Sequence, residues 1–304
     1  MTDRHGSRRI SRYLTVILFA AFITVCSVLT VGCNTSFYYD NASKYTAGNV
    51  ELNADLIEAI DIEWLNGDVN VSFSSEGSTI SVSEEANRSI DEERMLHFWV
   101  DGVTLKIKFG ASGNSNYNGI TKTLDVVLPG SKSLEYININ CVSSNIELEN
   151  AKTKKLSANA ISGNVRADNA RISEAAEFIS TSGNIRGSVI TACNSLQIET
   201  TSGSVDFSTE ARVKSLYVET VSGNIYLSNL NPAKKASVDT VSGNVELEFL
   251  DNAGFEVDFS SVSGDFSTDF PMYVNGDKYV FGTPNSSFKI KTVSGDISII
   301  SSPT

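Results

Sequence analysis

The chain has 304 residues, a formal net charge of −12, two histidines, four cysteines and five prolines. That length can bury a sizeable core in one or two domains. The acidity argues against nucleic acid as a partner and against adsorption to anionic lipid. His and Cys are too few, and too scattered, for a zinc site or a disulfide framework, and no cofactor is expected.

Residues 1–33 read as a leader, not as part of the fold. Arg4, Arg8, Arg9 and Arg12 make a basic start, and Tyr13 to Val31 runs for 19 residues without a charge. Leu29-Thr30-Val31-Gly32-Cys33 closes it. This is the pattern of a bacterial lipoprotein signal, in which Cys33 becomes the lipid-bearing first residue, although Thr30 stands where the pattern favours Leu. An uncleaved signal anchor fits the same residues, since 19 apolar residues just span a bilayer. Basic charge ahead of the segment and an acidic chain behind it place the remainder outside the cytoplasm either way, in the cell envelope. The membrane, reached through lipid or anchor, is therefore the first expected partner. Residues 1–32 carry four Arg and one Asp, so the rest of the chain stands at −15.

Residues 34–49 are polar, with Tyr38, Tyr39 and Tyr45 among them, and suit a tether. Residues 50–130 read as a β-rich cap continuous with the solenoid of residues 131–304. Ala59 to Trp64 alternates, Asn66-Gly67-Asp68 turns, and Val69 to Phe73 alternates again. Thr79 to Ser83 and Leu96 to Val100 are further strands, with charged Glu84 to Arg94 between them. Asp101-Gly102 opens a hairpin into Leu105 to Phe109. Gly110 to Gly119 is a loop, and Leu124 to Pro129 is the last strand of the region.

Residues 131–304 repeat. Gly163, Gly183, Gly203, Gly223 and Gly243 follow one another at intervals of 20, with Asn164, Asn184, Ser204, Asn224 and Asn244 behind them. Weaker copies flank them at Ser144-Asn145, Gly264-Asp265 and Gly295-Asp296. Five residues before each corner stand Ile139, Ala158, Phe178, Ile198, Val218, Val238, Phe259 and Ile290. Two residues after it stand Ile146, Val165, Ile185, Val205, Ile225, Val245, Phe266 and Ile297. Both columns are apolar, and the residues between them alternate with period two, which means strands. One such unit cannot bury its apolar face alone, so the units stack.

The expected architecture is all-β: a parallel β-solenoid of about eight coils, about 38 Å long at about 4.8 Å per coil. Glycine is expected to supply a positive φ at each corner. The asparagines should form a ladder of side-chain amides, broken at Ser204, Asp265 and Asp296, and Thr200, Thr220, Thr240 and Thr292 a second ladder. Cys141 falls in the threonine column and should face inward, far from Cys193, so two separate thiols are expected. His97, the only histidine after the leader, reads as structural.

The Gly264 to Gly295 interval is 31 residues, and residues 269–287 carry Asn275-Gly276 between aromatic arms, a hairpin signal. Tyr273, Tyr279 and Phe281 there are candidate binding residues for a sugar or a partner, or else they plug the end of the rod.

A β-rich lead ending in Leu128-Pro129, followed by Ser-Gly-Asn/Asp corners every 20 residues, resembles the DUF4097 family of adhesin-like, LiaG- and YvlB-like bacterial envelope proteins. The resemblance covers residues 50 to 300. It implies a β-solenoid, sometimes joined to a membrane anchor, with no catalytic motif to carry over.

Three functions fit these residues. The first is a non-enzymatic, envelope-anchored adhesin-like or scaffold module facing an envelope polymer or protein. The second is a carbohydrate-active β-helix enzyme, which needs paired carboxylates or a Ca²⁺ cluster. Glu147, Glu199, Glu219, Asp239 and Glu246 recur, but at strand positions that face solvent anyway, and no long loop interrupts the central coils. The third is a self-assembling scaffold, against which two end caps argue. Ca²⁺ at Asp68, Asp265 and Asp296 is a further reading, set against plain turn-forming aspartates.

Overall fold

The computed structural model describes residues 37–302 apart from 115, 116, 230 and 252, so the expected leader with Cys33 lies outside the described residues. The alternating columns form two faces of parallel strands that enclose one interior. Each repeat runs a longer strand along a broad face, turns through a two-residue corner, and runs a shorter strand along a narrow face. Ser195–Ser202 followed by Val205–Thr209 is typical. The faces join through Val165–Ser182, which serves the narrow face with its first half and the broad face with its second.

Stacking keeps the apolar columns in register, with local shifts at Thr153/Lys155, Ala167/Ala170 and Phe73/Ser75. On the broad face Ala158, Phe178, Ile198, Val218 and Val238 are successive partners. On the narrow face Ile146, Val165, Ile185, Val205, Ile225 and Val245 are. These residues are at most 1% exposed, the range in which a full Val or Ile side chain contributes about 1.5–3 kcal/mol. Small residues make room for large ones inside: Phe207 follows Ala167 and Gly187 in one column, and its ring meets Phe178 at 5.3 Å.

Two rungs join the eight legible copies. Ala59–Asn66 and Val69–Ser75 form a coil that lies directly beneath Leu134–Ser143 and Ile146–Glu149. The Asn66-Gly67-Asp68 corner is isolated in sequence but contiguous in space. Beyond it, Thr104–Lys108 and Lys122–Pro129 make the outermost rung at that end. Among the described residues each face then has ten parallel strands, about 43 Å from first to last at about 4.8 Å per step. Antiparallel strands cover this end: His97–Asp101 on Thr104–Lys108, and Thr79–Ala86 on Lys122–Pro129.

Spatial order departs from chain order at both ends. At the far end Ser287–Ser294 and Ile297–Ser302 slot in against Lys235–Ser242 and Val245–Leu250, which pushes Phe255–Ser263 and Phe266–Thr268 to the outside. The segment between Thr268 and Ser287 supplies the slack for the chain to pass outward and come back. Within it Tyr273–Asn275 and Lys278–Phe281 form the expected hairpin, which pairs antiparallel with Phe255, Glu256 and Val257.

The 34–49 stretch is not a free tether from Phe37 onward. Phe37 is 7% exposed and packs edge-on against Tyr39 and Tyr117, and the Tyr39 hydroxyl donates to the Gly110 carbonyl. Phe37 and Tyr39 had an apolar surface within reach and pack on it.

Candidate binding surface

The corners show what the repeat letters do. A Cβ built on Gly183 would lie 2.0 Å from the Gly163 carbonyl oxygen, and one on Gly203 would lie 2.1 Å from that of Gly183. Gly163, Gly223, Gly243, Gly264 and Gly295 hold the positive φ expected at the corners, between 143° and 157°, whereas Gly183 and Gly203 do not. Glycine is therefore demanded at each of these corners by the neighbouring coil, and at most of them by the positive φ as well. Behind each glycine, the Asn side-chain oxygen accepts the backbone N–H of the next coil's residue. Asn164 donates in this way to Asn145, Asn184 to Asn164, Ser204 to Asn184 and Asn244 to Asn224, each at 2.9 Å.

This corrects the expected amide-to-amide ladder, and it explains why its supposed breaks hold. Only an acceptor is needed, so Ser204 takes the Asn224 N–H at 3.3 Å and Asp296 takes the Asp265 N–H at 2.9 Å. Asp265 and Asp296 lie on neighbouring coils, and the reversed order at that end makes Asp296 the one that donates its N–H to Asn244 and accepts that of Asp265. Inside the corner, Ser180, Thr200 and Thr220 donate to the carbonyls of Gly163, Gly183 and Gly203.

On the outer broad face Glu199, Glu219 and Asp239 are register partners, followed by Lys291, which reaches Asp239 at 4.0 Å. Glu219 is 6% and Asp239 8% exposed. Burial pushes Glu199 and Glu219 above the ordinary carboxylate range, neighbouring acids add to this, and hydrogen bonds from Gln197 and Tyr217 pull back. The outer narrow face carries Glu147, Arg166, Arg186, Asp206, Tyr226 and Glu246 in one column. A groove of about 230 Å³ opens where this column meets Asn145, Asn164 and Asn184. A second hollow, of about 400 Å³, lies in the cap beside Arg88, Ile90 and Ile120.

Cys141 and Cys193 are both free and buried. Burial raises both thiols, Cys193 to about 11 and Cys141 further, so neither supplies a thiolate near neutral pH. No group of His, Cys, Asp and Glu able to hold a metal occurs among the described residues, and none of their helices is long and apolar enough to cross a membrane.

Residues 57–300 match the family model described as Toastrack DUF4097. The chain belongs to the Toastrack DUF4097 family. Solved structures similar to this Toastrack chain include a candidate adhesin from Bacteroides fragilis, at 11% identity and TM-score 0.47, covering 83% of this chain and 95% of that one. Another is a candidate adhesin from Parabacteroides distasonis, at 13% identity and TM-score 0.44, covering 84% and 97%. A third, from the same species, is named as a candidate lipid-binding protein, at 12% identity and TM-score 0.34, covering 83% and 96%. No curated protein matches the chain.

Within the Toastrack rod the three aromatic candidates part company. Phe281 packs on Phe255 and Phe270, and Tyr279 packs on Phe259 and Phe266, so both pack within the end of the rod. Tyr273 is 55% exposed and remains available.

Sequence reasoning passed over two features. Arg166 and Arg186 both stand three residues after a corner glycine, the same column as Glu147 and Glu246, and reading that column would have paired them. Lys122 is wholly buried. Its ammonium meets Glu84 at 2.6 Å, donates to the carbonyls of Arg94 and Phe109, and lies over the rings of Trp64 and Phe109. Its signal was parity: Lys122 shares the inward positions of Leu124, Val126 and Leu128.

Proposed function

We propose that the chain is a non-enzymatic, envelope-anchored binding module, held to the membrane through Cys33 or an uncleaved anchor, that presents its coil faces to an extended envelope polymer or protein in an adhesin-like role. The observation that carries this reading is the shortness of the connections. Corners of two residues and returns such as 190–194 and 210–214 join the central strands, so no loop builds a cleft and both faces run unbroken. Flat, repetitive faces suit long ligands. The buried thiols and the single-file acids on the broad face supply neither a nucleophile nor opposed carboxylates spanning a substrate.

The test expresses the full chain in a bacterium. Lipid labelling and intact mass should place acyl chains on Cys33, and a Cys33→Ser variant should be released or remain only signal-anchored. Expressing cells should bind immobilised envelope polymers or surface proteins better than vector-only cells. Turnover of a polysaccharide by the purified chain, abolished by Glu219→Gln, would replace this reading with the enzymatic one.

A further inference from the structure

The groove on the narrow face is a donor site in an acidic protein. The ladder consumes the side-chain oxygens of Asn164 and Asn184, each of which accepts a backbone N–H from the next coil at 2.9 Å. Their amide nitrogens are therefore left as donors beside the groove. That of Asn164 makes only a 3.4 Å contact to Asn145, and that of Asn184 has no partner among the described residues.

Next to them stand Arg166 and Arg186, register partners on adjacent strands and both exposed. Strand spacing sets their backbones about 4.8 Å apart, and like charges directly opposite one another repel. Arg166 is met by Asp168 at 2.7 Å, whereas Arg186 makes no ion pair among the described residues, even though Asp206 follows it in the column.

We propose that this groove binds an oxyanion, a carboxylate or phosphate carried by an acidic glycan polymer, bridging the guanidinium groups of Arg166 and Arg186 with the amides of Asn164 and Asn184 donating beside it. One shared anion offsets the repulsion between two adjacent cations, and guanidinium forks match its geometry. Glu147 and Asp206, at the two ends of the arginine pair, confine the site to one charged group. A neutral stretch of polymer gains nothing there. This deepens the adhesin-like reading and rests on it: the rod would take its polymer along the corner edge, one sugar unit set by the arginine step.

The experiment titrates the full chain, in detergent, with polygalacturonate, with poly(glycerol phosphate) and with neutral dextran. One acidic polymer should bind at least tenfold better than dextran, with affinity falling as salt rises, and which of the two binds identifies the oxyanion. Arg186→Gln should weaken that binding about tenfold without moving the melting temperature, Arg186→Lys should retain part of it, and Asp206→Asn should strengthen it. Binding of neither acidic polymer above dextran overturns the proposal, as does equal binding by the parent, Arg186→Gln and Asp206→Asn. Cell adhesion that persists while these titrations fail would remove the groove and leave the adhesin-like function standing.

Discussion

Lys122 shows how much one side chain can commit a region to its shape. Burial draws its ammonium down to about 8 while Glu84 pulls the other way, so the charge is held by its partners and not by water. Through Glu84 and the carbonyls of Arg94 and Phe109 it ties three separate cap segments to the first coils. Lys122→Met should cost about 3–5 kcal/mol in urea unfolding, because Glu84 and two carbonyls lose their partner together. A Lys122→Met/Glu84→Gln pair should recover part of that loss. Equal destabilisation by the single and double variants would mean that the lysine acts by filling space alone. The corner glycines make the opposite case. Their role is to be absent, since any side chain at Gly203 would occupy the place of the Gly183 carbonyl.

Among elements, the hairpin of residues 273–281 has the clearest task. It covers the broad-face edge of the outermost rung at Phe255, Glu256 and Val257, with Val280 2% exposed beneath it. On the narrow face Phe266–Thr268 has a neighbour on one side only among the described residues. Undocking the hairpin would leave both edges of this rung open, and open edges recruit other chains. Val280→Asp should leave the β-sheet circular dichroism of the rod in place while producing concentration-dependent assembly by light scattering. A variant that stays monomeric at all concentrations would show that the hairpin is not the cap.

The hairpin itself was legible, because Asn275-Gly276 between aromatic arms is local chemistry. Its neighbour was not. The insertion of residues 287–302 between older rungs leaves no mark on the apolar columns, which read the same in either order. The repeat columns were legible because stacking makes identical demands on every coil. The arginine groove required reading down a column instead of along a strand, and the packed Phe37 and Tyr39 carried only a composition that also suits a tether.

At the scale of the molecule, stability is a sum over rungs, and one term has the wrong sign. Glu199 and Glu219 hold their protons more tightly folded than unfolded, because burial and adjacent acids disfavour the charge. The folded state then binds more protons across the window from the ordinary carboxylate value up to the raised one, so stability falls as pH rises through it. A Glu199→Gln/Glu219→Gln variant should melt about 2–4 °C higher than the parent at pH 7, the shift that about 1 kcal/mol gives in a chain of this size. Below pH 4 the two should converge. A gap that is the same at every pH would assign the gain to packing and not to charge.

The exchanged rungs at the ends have a bearing on how the rod is assembled. Residues 59–75 acquire both lateral neighbours only after residues 134–149 have followed them, and Lys235–Leu250 stays uncovered until Ser287–Ser302 arrives. A chain that emerges in order from its N-terminal end cannot finish either end of the rod as it appears. The last strands to emerge act as a keystone: the neighbouring blocks must hold a gap of one strand's width until those strands close it.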